Sequence, residues 1–251
     1  MTDGYVRAFT LVEMMVALTV GAVVLLLGAV MLRSAGDGYA RFGGGVSGER
    51  EARALLSQLS ADLATARWHA DTIWERGGGG WSADRVGFLT LQAPDAQSDH
   101  GRIGDLCAVH YAVRDFMADG RVVRCLVRGV AESDDTLSAV RKGEVAGAFG
   151  ASGKDEPVAC GVVAFEARPK VRTEAGPLAD WAKTMAGPPD VVAVRMVVVR
   201  REDMARLVTA QDWDGMTECA WKVLGDPGHA RNNPRLAVYE GMFHFGNEES
   251  H

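Results

Sequence analysis

A single carboxylate, Glu13, lies within an otherwise uncharged apolar run that extends from Phe9 to Leu32. As a helix, these 24 residues rise about 36 Å, enough to cross the roughly 30 Å hydrocarbon core of a bilayer. A carboxylate at the centre of such a span costs on the order of 2.5–3.5 kcal/mol, and it usually has a partner there. The run itself contains no cation. If the chain were cut after Ala8, the new α-amine of Phe9 on a neighbouring subunit would supply one.

The six residues from Ala8 to Glu13, followed directly by the apolar run, resemble the processing motif of type IV pilins and type II secretion pseudopilins. In that family, a prepilin peptidase cleaves after a small residue and methylates the new N-terminal phenylalanine. The resemblance implies cleavage after Ala8, methylation of Phe9, and pairing of Glu13 with a neighbour's N-terminus during assembly. The alternative is an ordinary signal anchor with a stray acid. A secretory signal peptide would instead have a shorter core, with its cleavage site after that core.

The resemblance also divides the chain into four parts. They are a leader peptide over residues 1–8, a transmembrane helix over 9–32, a glycine-rich hinge over 33–48 and a periplasmic pilin-like globular domain over 49–251. It implies a single-pass protein of the inner membrane whose C-terminal domain lies in the periplasm. Two features depart from the family pattern. Ala8 replaces the commoner glycine before the cleavage site. The leader contains one basic residue, Arg7, and one acidic residue, Asp3, so the excess of positive charge expected on the cytoplasmic side is weak.

The composition is that of a globular protein, with 47% apolar and 24% charged residues. A net charge of −6 argues against nucleic acid as a partner, because DNA-binding proteins usually carry a basic patch or a high isoelectric point. The sequence contains no G-x-S-x-G motif, and it has neither a Walker A motif nor G-x-G-x-x-G between a strand and a helix. We therefore expect a protein that is not an enzyme.

Acidic residues form three clusters along the body, and each could in principle hold a cation. The clusters are Asp95 with Asp99 and His100, Glu132 with Asp134 and Asp135, and Asp212 with Asp214. None matches the EF-hand pattern, so solvated loop acids are the better interpretation. The histidines and cysteines also lack metal-ligand spacing. We expect no metal site and no cofactor, and we leave calcium open without naming ligands, because some pseudopilins bind it.

An amphipathic helix is predicted at the start of the globular domain. Ser47 is a suitable N-cap, and apolar residues then recur at helical spacing until about Trp68. The apolar positions are Ala52, Leu55, Leu56, Leu59, Leu63 and Ala66. The charged and polar positions expected to face solvent or the next subunit are Arg50, Glu51, Arg53, Gln58 and Asp62. This helix should pack one face on a sheet.

The rest of the chain reads as strands and loops, which gives an α+β fold. The predicted strands are Val86–Leu91, Leu106–Val113, Val122–Val127, Val158–Phe165, Val191–Val199 and Leu236–Phe245. Asp119 and Gly120 supply the chemistry of a tight hairpin turn between the second and third strands. Residues 129–157 contain clusters of serine, aspartate and glycine, and they predict a long mobile loop.

Four cysteines lie in the part of the chain that would be exported: Cys107, Cys125, Cys160 and Cys219. An even number in an oxidising compartment permits two disulfides with three possible pairings. The alternation places Cys107 with Val109 on one strand and Cys125 with Val123 on the next, each on an apolar face. Cys107 and Cys125 are therefore a candidate disulfide. The register decides between a bond and two packed thiols.

Parts of the body refine the family resemblance. The segments Val109–Tyr111, Asp119–Gly120 and Val122–Arg124, and the later strand that Pro188 and Pro189 precede, resemble the J-type minor pseudopilin of type II secretion. The segment Arg201–Leu207 is similar to pilin-like proteins of Verru_Chthon cassettes. The resemblance implies a pilin-like fold in which a long N-terminal helix, first transmembrane and then amphipathic, packs on an antiparallel β-sheet.

The resulting hypothesis is a minor pseudopilin near the tip of a pseudopilus that assists assembly and protein secretion. Its expected partners are a prepilin peptidase, other minor and major pseudopilins, and the inner membrane, with no nucleic acid. One alternative is a minor pilin of a surface type IV pilus. Another is a membrane-anchored periplasmic binding domain that never polymerises. Glu13 argues against the last alternative, because a monomeric anchor has no use for an intramembrane carboxylate.

Overall fold

The computed structural model describes most of the body and two residues near the N-terminus. The described residues are Met15, Val20 and residues 50–75, 84–98, 102–150, 155–174, 176–185, 187–225 and 233–246. The chain divides into two compact units, Met1–Val46 and Ser47–His251. Met15 and Val20, in the first unit, are helical and exposed. Among all described residues, no helix is both long enough and apolar enough to cross a membrane.

The described part of the second unit consists of short helices and two antiparallel sheets. Helix α1 covers residues 50–64. The first sheet, sheet A, contains β1 (Ala66–Arg67), β2 (Ile73–Glu75), β3 (Arg85–Leu91), β4 (Leu106–Ala118), β5 (Arg121–Ala131) and β6 (Glu156–Cys160). The second, sheet B, contains β7 (Val162–Arg172), β8 (Leu178–Asp180), β9 (Val191–Val199) and β10 (Leu236–His244). The other α-helices are α2 (Ser133–Lys142), α3 (Val145–Ala148), α4 (Arg201–Met204) and α5 (Ala210–Gly225), and a 3-10 helix covers Pro94–Ala96.

The order of strands is β1-β3-β4-β5-β6 in sheet A, with β2 also paired to β3, and β10-β9-β7-β8 in sheet B. Every pairing among the described strands is antiparallel. The predicted α+β class is therefore confirmed. The expectation of a single sheet is not, because the chain leaves sheet A after β6 and builds sheet B from the strands that follow.

The predicted hairpin turn is confirmed, and it sets the register of the longest strand pair. Asp119 and Gly120 both have positive φ angles, 50° and 75°, as a two-residue type I′ turn requires. Ala118 therefore pairs with Arg121, and the pairing continues without a bulge to Ala108 and Ala131. Since the turn contributes two residues, an odd-numbered residue of β4 shares its face with an even-numbered residue of β5.

Helix α1 packs into one hydrophobic core with the inner faces of both sheets. Its buried residues are Ala52, Leu55, Leu59 and Leu63, and Ala66 continues the stripe. The same cluster includes Phe88 and Val109 from sheet A and Phe165 and Met196 from sheet B. The predicted packing face of this helix is thus confirmed. Strand β9, predicted to be apolar on both faces, lies between β10 and β7, and its outer face packs against α5.

Two helical regions differ from the predictions. Residues 129–157 were expected to form a long loop, but the end of β5, helices α2 and α3 and the start of β6 occupy most of that range. Val145, Ala148 and Phe149 form a second core with Leu89 and other residues on the outer face of sheet A. Helix α5 had no sequence-based prediction, and it covers part of the outer face of sheet B with Trp213.

We predict that Leu59→Ala lowers the melting temperature of the full-length protein by roughly 4–20 °C. Leu59 is 2% exposed in the core that α1 shares with both sheets. Truncating a buried leucine costs about 2–5 kcal/mol, and each kcal/mol shifts the melting temperature of a domain of this size by about 2–4 °C. Thermal unfolding followed by circular dichroism measures the shift. Ser57→Ala, on the exposed side of the same helix, is the control and should change the melting temperature little.

Candidate functional site: the attachment of helix α1

The predicted processing and assembly residues, Ala8, Phe9 and Glu13, lie outside the described residues, as does the glycine-rich hinge. The part of the amphipathic helix that the structure does describe is α1. The candidate site is therefore the set of contacts that hold α1 on the body.

A buried carboxylate attaches α1 to sheet A. Oδ2 of Asp62 accepts hydrogen bonds from Oη of Tyr111 at 2.6 Å and from Nε of Arg128 at 2.7 Å. Its Oδ1 accepts from Nη2 of Arg128 at 3.0 Å, from Nε2 of Gln92 at 3.0 Å and from Nε2 of Gln58 at 3.3 Å. Arg128 thus binds the carboxylate with two donors, the arrangement that gives an arginine–carboxylate pair its directionality. We call Asp62, Tyr111, Arg128, Gln92 and Gln58 the Asp62 network.

The centre of the Asp62 network is removed from solvent. Asp62 is 2% exposed and Tyr111 is fully buried, while the side chain of Arg128 is 16% exposed. Burial, reinforced by the charge of Asp62, raises the pKa of Tyr111 well above its usual value, so the phenol remains a donor. Burial alone would lower the pKa of Arg128, but the hydrogen bonds and charge of Asp62 outweigh it and raise that pKa. Arg128 therefore keeps its positive charge beside the carboxylate of Asp62.

Two threonine hydroxyls and several main-chain groups reinforce the same attachment. Oγ1 of Thr90 donates to the carbonyl of Asp62 at 2.8 Å and lies 2.7 Å from Oγ1 of Thr65. The amide of Leu91 donates to the carbonyl of Thr65 at 3.2 Å. The amide of Gly246, just after β10, donates to the carbonyl of Leu63 at 2.8 Å. These contacts satisfy carbonyl groups at the C-terminal end of α1 that have no partner within the helix.

The expectation that Asp62 faces solvent or the next subunit is wrong. Its spacing already indicated burial, because it lies seven residues after Leu55, three after Leu59 and four before Ala66, on the same helical face. Its charge suggested the opposite, and the charge is accommodated because Tyr111 and Arg128 provide donors within the sheet. Gln58, by contrast, is exposed as expected.

The candidate disulfide between Cys107 and Cys125 is also wrong. Both residues are buried on neighbouring strands, as predicted, but the two-residue turn places them on opposite faces of sheet A. Cys107 lies opposite Thr90 on β3, whereas Cys125 lies opposite Arg114. Cys125 instead bonds to Cys160, its direct partner on β6, with 4.0 Å between the two Cα atoms. Cys107 remains a free buried thiol, and burial raises its pKa to about 11.

A buried histidine occupies the outer face of sheet A. His110 is 1% exposed, and it lies opposite Gly129, where a Cβ atom would approach the imidazole within 2.0 Å. Its Nε2 is 3.0 Å from Oδ1 of Asp155 without hydrogen-bond geometry, and the other carboxylate oxygen accepts from Arg114 at 2.7 Å. Burial lowers the pKa of His110 despite the opposing charge of Asp155, so the ring is neutral at pH 7. Gly129 is needed for this packing.

Three members of the acidic clusters, Glu132, Asp212 and Asp214, have structural partners. Asp212 accepts hydrogen bonds from the amides of Val208 and Thr209, and Oγ1 of Thr209 accepts from the amide of Asp212 at 3.3 Å, a reciprocal cap at the start of α5. Oδ1 of Asp214 accepts from Arg124 at 3.0 Å. Glu132 accepts from the hydroxyl of Ser98 at 2.6 Å. Within the described ranges, no group of three or more histidine, cysteine or acidic side chains could hold a metal ion.

A cavity of about 320 Å³ lies where β2 meets β7 and β8. Trp74 and Trp181 contribute aromatic walls, and Asp84 bridges the sheets by accepting a hydrogen bond from the amide of Ala167 at 3.2 Å. The charged residues that line the cavity include Asp84 and Lys183. This lining combines both signs of charge with apolar surface, and it does not define a reaction.

Comparison with known proteins adds one positive finding. Residues 4–29 match the family model of the prokaryotic N-terminal methylation motif, and this range contains Ala8, Phe9 and Glu13. The motif is the signal of type IV pilins and pseudopilins, so it indicates a pilin-like structural protein that a prepilin peptidase processes and that assembles with other pilins. Comparisons with curated proteins and with solved structures found no significant match.

We predict that Asp62→Ala destabilises the protein by about 3–5 kcal/mol, because it leaves the charge of Arg128 buried without its partner. Chemical denaturation of the full-length protein measures the change. Glu75→Ala is the matched control, since it also removes a carboxylate paired with an arginine, but one that is 59% exposed. Such a surface pair contributes about 0–1 kcal/mol. Similar losses for the two variants would contradict the importance of the Asp62 network.

Proposed function

We propose that the protein is a minor pseudopilin of a type II secretion-like system, a structural subunit near the pseudopilus tip that assists assembly and protein secretion. The observation that carries the proposal is the methylation motif at residues 4–29, with Glu13 at the fifth position after the expected cleavage site. A carboxylate at this position gives a subunit a way to bind the methylated N-terminus of a neighbour within the membrane.

The body supports a structural role. Removing eight residues from 251 leaves a mature chain of 243, longer than major pilins of the family tend to be, which suits a subunit used sparingly. In this proposal, residues 9–32 cross the inner membrane once and the two sheets lie in the periplasm. The Cys125–Cys160 disulfide supports this placement, because structural disulfides form in oxidising compartments.

A minor pilin of a surface type IV pilus is the second candidate, because the same motif serves both systems. Calcium binding remains a weaker proposal with no ligands assigned. The genomic neighbourhood separates the two main candidates: secretin and secretion ATPase genes without a major surface pilin favour the pseudopilus. A non-polymerising anchored domain is disfavoured by Glu13, which such a protein would not need.

We predict cleavage between Ala8 and Phe9 and methylation of the new α-amine, because the motif provides a small residue before the cut and phenylalanine after it. Mass spectrometry of the membrane-extracted protein measures both changes. Cells that lack the prepilin peptidase are the control and should retain residues 1–8. A mature N-terminus at Met1 in cells with an active peptidase would rule out the proposed function.

We predict that Glu13→Ala leaves membrane insertion intact and impairs entry into the pilus. The substitution removes a costly charge from the apolar run, and it also removes the partner of another subunit's amine. Crosslinking to other pilins and a secretion assay measure assembly, while membrane fractionation measures insertion. Thr19→Ala, a change within the same run that removes a hydroxyl and no charge, should preserve assembly. Normal assembly of Glu13→Ala would show that entry does not use this charge.

A further inference from the structure

We propose that the Asp62 network is a register key: it selects one position of α1 along the sheets and excludes the positions one helical turn away. The role of Asp62 is then to position α1, in addition to holding it. The consequence for assembly rests on the proposed function, whereas the register is a property of the folded chain alone.

The apolar stripe of α1 selects the register incompletely. Leu55, Leu59 and Leu63 are spaced by four residues, and all three are at most 3% exposed. A slide of one turn, about 5.4 Å, moves each leucine into the site of the next. In either direction, leucine refills two of the three sites. The third site receives Glu51 in one direction and Arg67 in the other, so the leucine spacing alone penalises a slide at one site of the three.

Asp62 removes this ambiguity, because its site accepts a carboxylate and neither of the residues that a slide would supply. One direction brings Gln58 to the site, and a neutral amide leaves the charge of Arg128 uncompensated. The other direction lengthens α1 by one turn at the expense of β1 and brings Ala66 to the site, where it offers no acceptor to Arg128 or Tyr111. A buried charge without a partner is among the most costly defects in a protein. Both slides are therefore penalised at the same site.

The main-chain contacts around α1 do not make this selection. Ala66 pairs with Thr90, and the amides of Leu91 and Gly246 bind carbonyl groups of α1 and of the residue after it. A backbone group is chemically the same at every residue, so a shifted chain can offer equivalent carbonyls and amides. The side chains of the Asp62 network carry the information that distinguishes one register from another, as single buried polar residues do in coiled coils.

The register decides which side chains α1 presents to a neighbour. Arg53, Ser57 and Ala61 are exposed on the helix. A slide of one turn would carry these side chains about 5.4 Å along the body, and any partner that contacts both α1 and a sheet would lose its fit. The register key would thus matter to a subunit that must match a neighbour, as the proposed function requires.

Pairs of introduced cysteines in the full-length protein, purified in detergent, report the register. Thr65→Cys with Thr90→Cys reports the native register, since the two hydroxyl oxygens are 2.7 Å apart. Ala61→Cys with Thr90→Cys and His69→Cys with Thr90→Cys report the two slides, because these residues lie four positions before and after Thr65. Cys107 lies opposite Thr90, so Cys107→Ala and Cys219→Ala form the background of every pair.

The test replaces the charged centre by apolar residues of similar size, in the triple variant Asp62→Leu, Tyr111→Phe and Arg128→Met. We expect the native disulfide alone in the parent protein and a large increase of at least one slide disulfide in the triple variant. Asp62→Asn keeps the side-chain shape and one acceptor oxygen but removes the charge, so it should weaken the selection less than the triple variant does and give a smaller increase.

Leu59→Ala is the matched control, because it weakens the same helix without touching the Asp62 network. It should lower stability and still give only the native disulfide. The proposal is overturned if the triple variant and Asp62→Asn both give the native disulfide alone, or if Leu59→Ala gives slide disulfides as readily as they do. All these bonds form within one chain, so the result does not depend on whether the protein enters a pilus.

Discussion

The fold depends on a charge placed inside an otherwise apolar contact. Asp62 interrupts the leucine stripe of α1. Tyr111 from β4 and Arg128 from β5 donate hydrogen bonds to its carboxylate. Replacing both members of such a buried ion pair by apolar residues often leaves the free energy of unfolding unchanged, whereas removing only one member destabilises the protein strongly. The network is therefore better understood as a device that specifies one arrangement of helix and sheet than as a source of stability.

A second constraint acts where the chain passes from one sheet to the other. Cys160 ends β6 and is bonded to Cys125, and Gly161 then joins β6 to β7. The amide of Gly161 donates to the carbonyl of Arg124 at 2.8 Å, and its carbonyl accepts from Val199 at the same distance. The disulfide closes a loop between residues 35 apart, which restricts the unfolded chain by about 3–4 kcal/mol in the loop-entropy model. In the folded protein, the Cys125–Cys160 bond fixes the end of β6 on β5, directly before the chain enters sheet B.

The sequence-based predictions succeeded where a local pattern matched a local structure. Helical spacing identified the buried face of α1, and Asp119 with Gly120 identified the hairpin. The register of that hairpin also followed from its two-residue turn, and applying it would have excluded the Cys107–Cys125 bond. The partner of Cys125 was beyond reach, because β6 returns to β5 only after α2 and α3, and no local pattern encodes that pairing. The prediction put Asp62 on the solvent side because it relied on the charge of this residue and not on its helical spacing. Tyr111 and Arg128, which donate hydrogen bonds to Asp62, lie 49 and 66 residues away in the sequence.

The site at which the Asp62 network meets sheet A has a mechanical consequence. Strands β4 and β5 form the longest uninterrupted pairing among the described strands, from Ala108 with Ala131 to Ala118 with Arg121. Tyr111 and Arg128 are themselves paired across this ladder. A pull on α1 would therefore be delivered to the interior of a long ladder through both of its strands at once, and the load would be shared among many hydrogen bonds. The same pull on a short edge strand such as β8 would break its few bonds one after another.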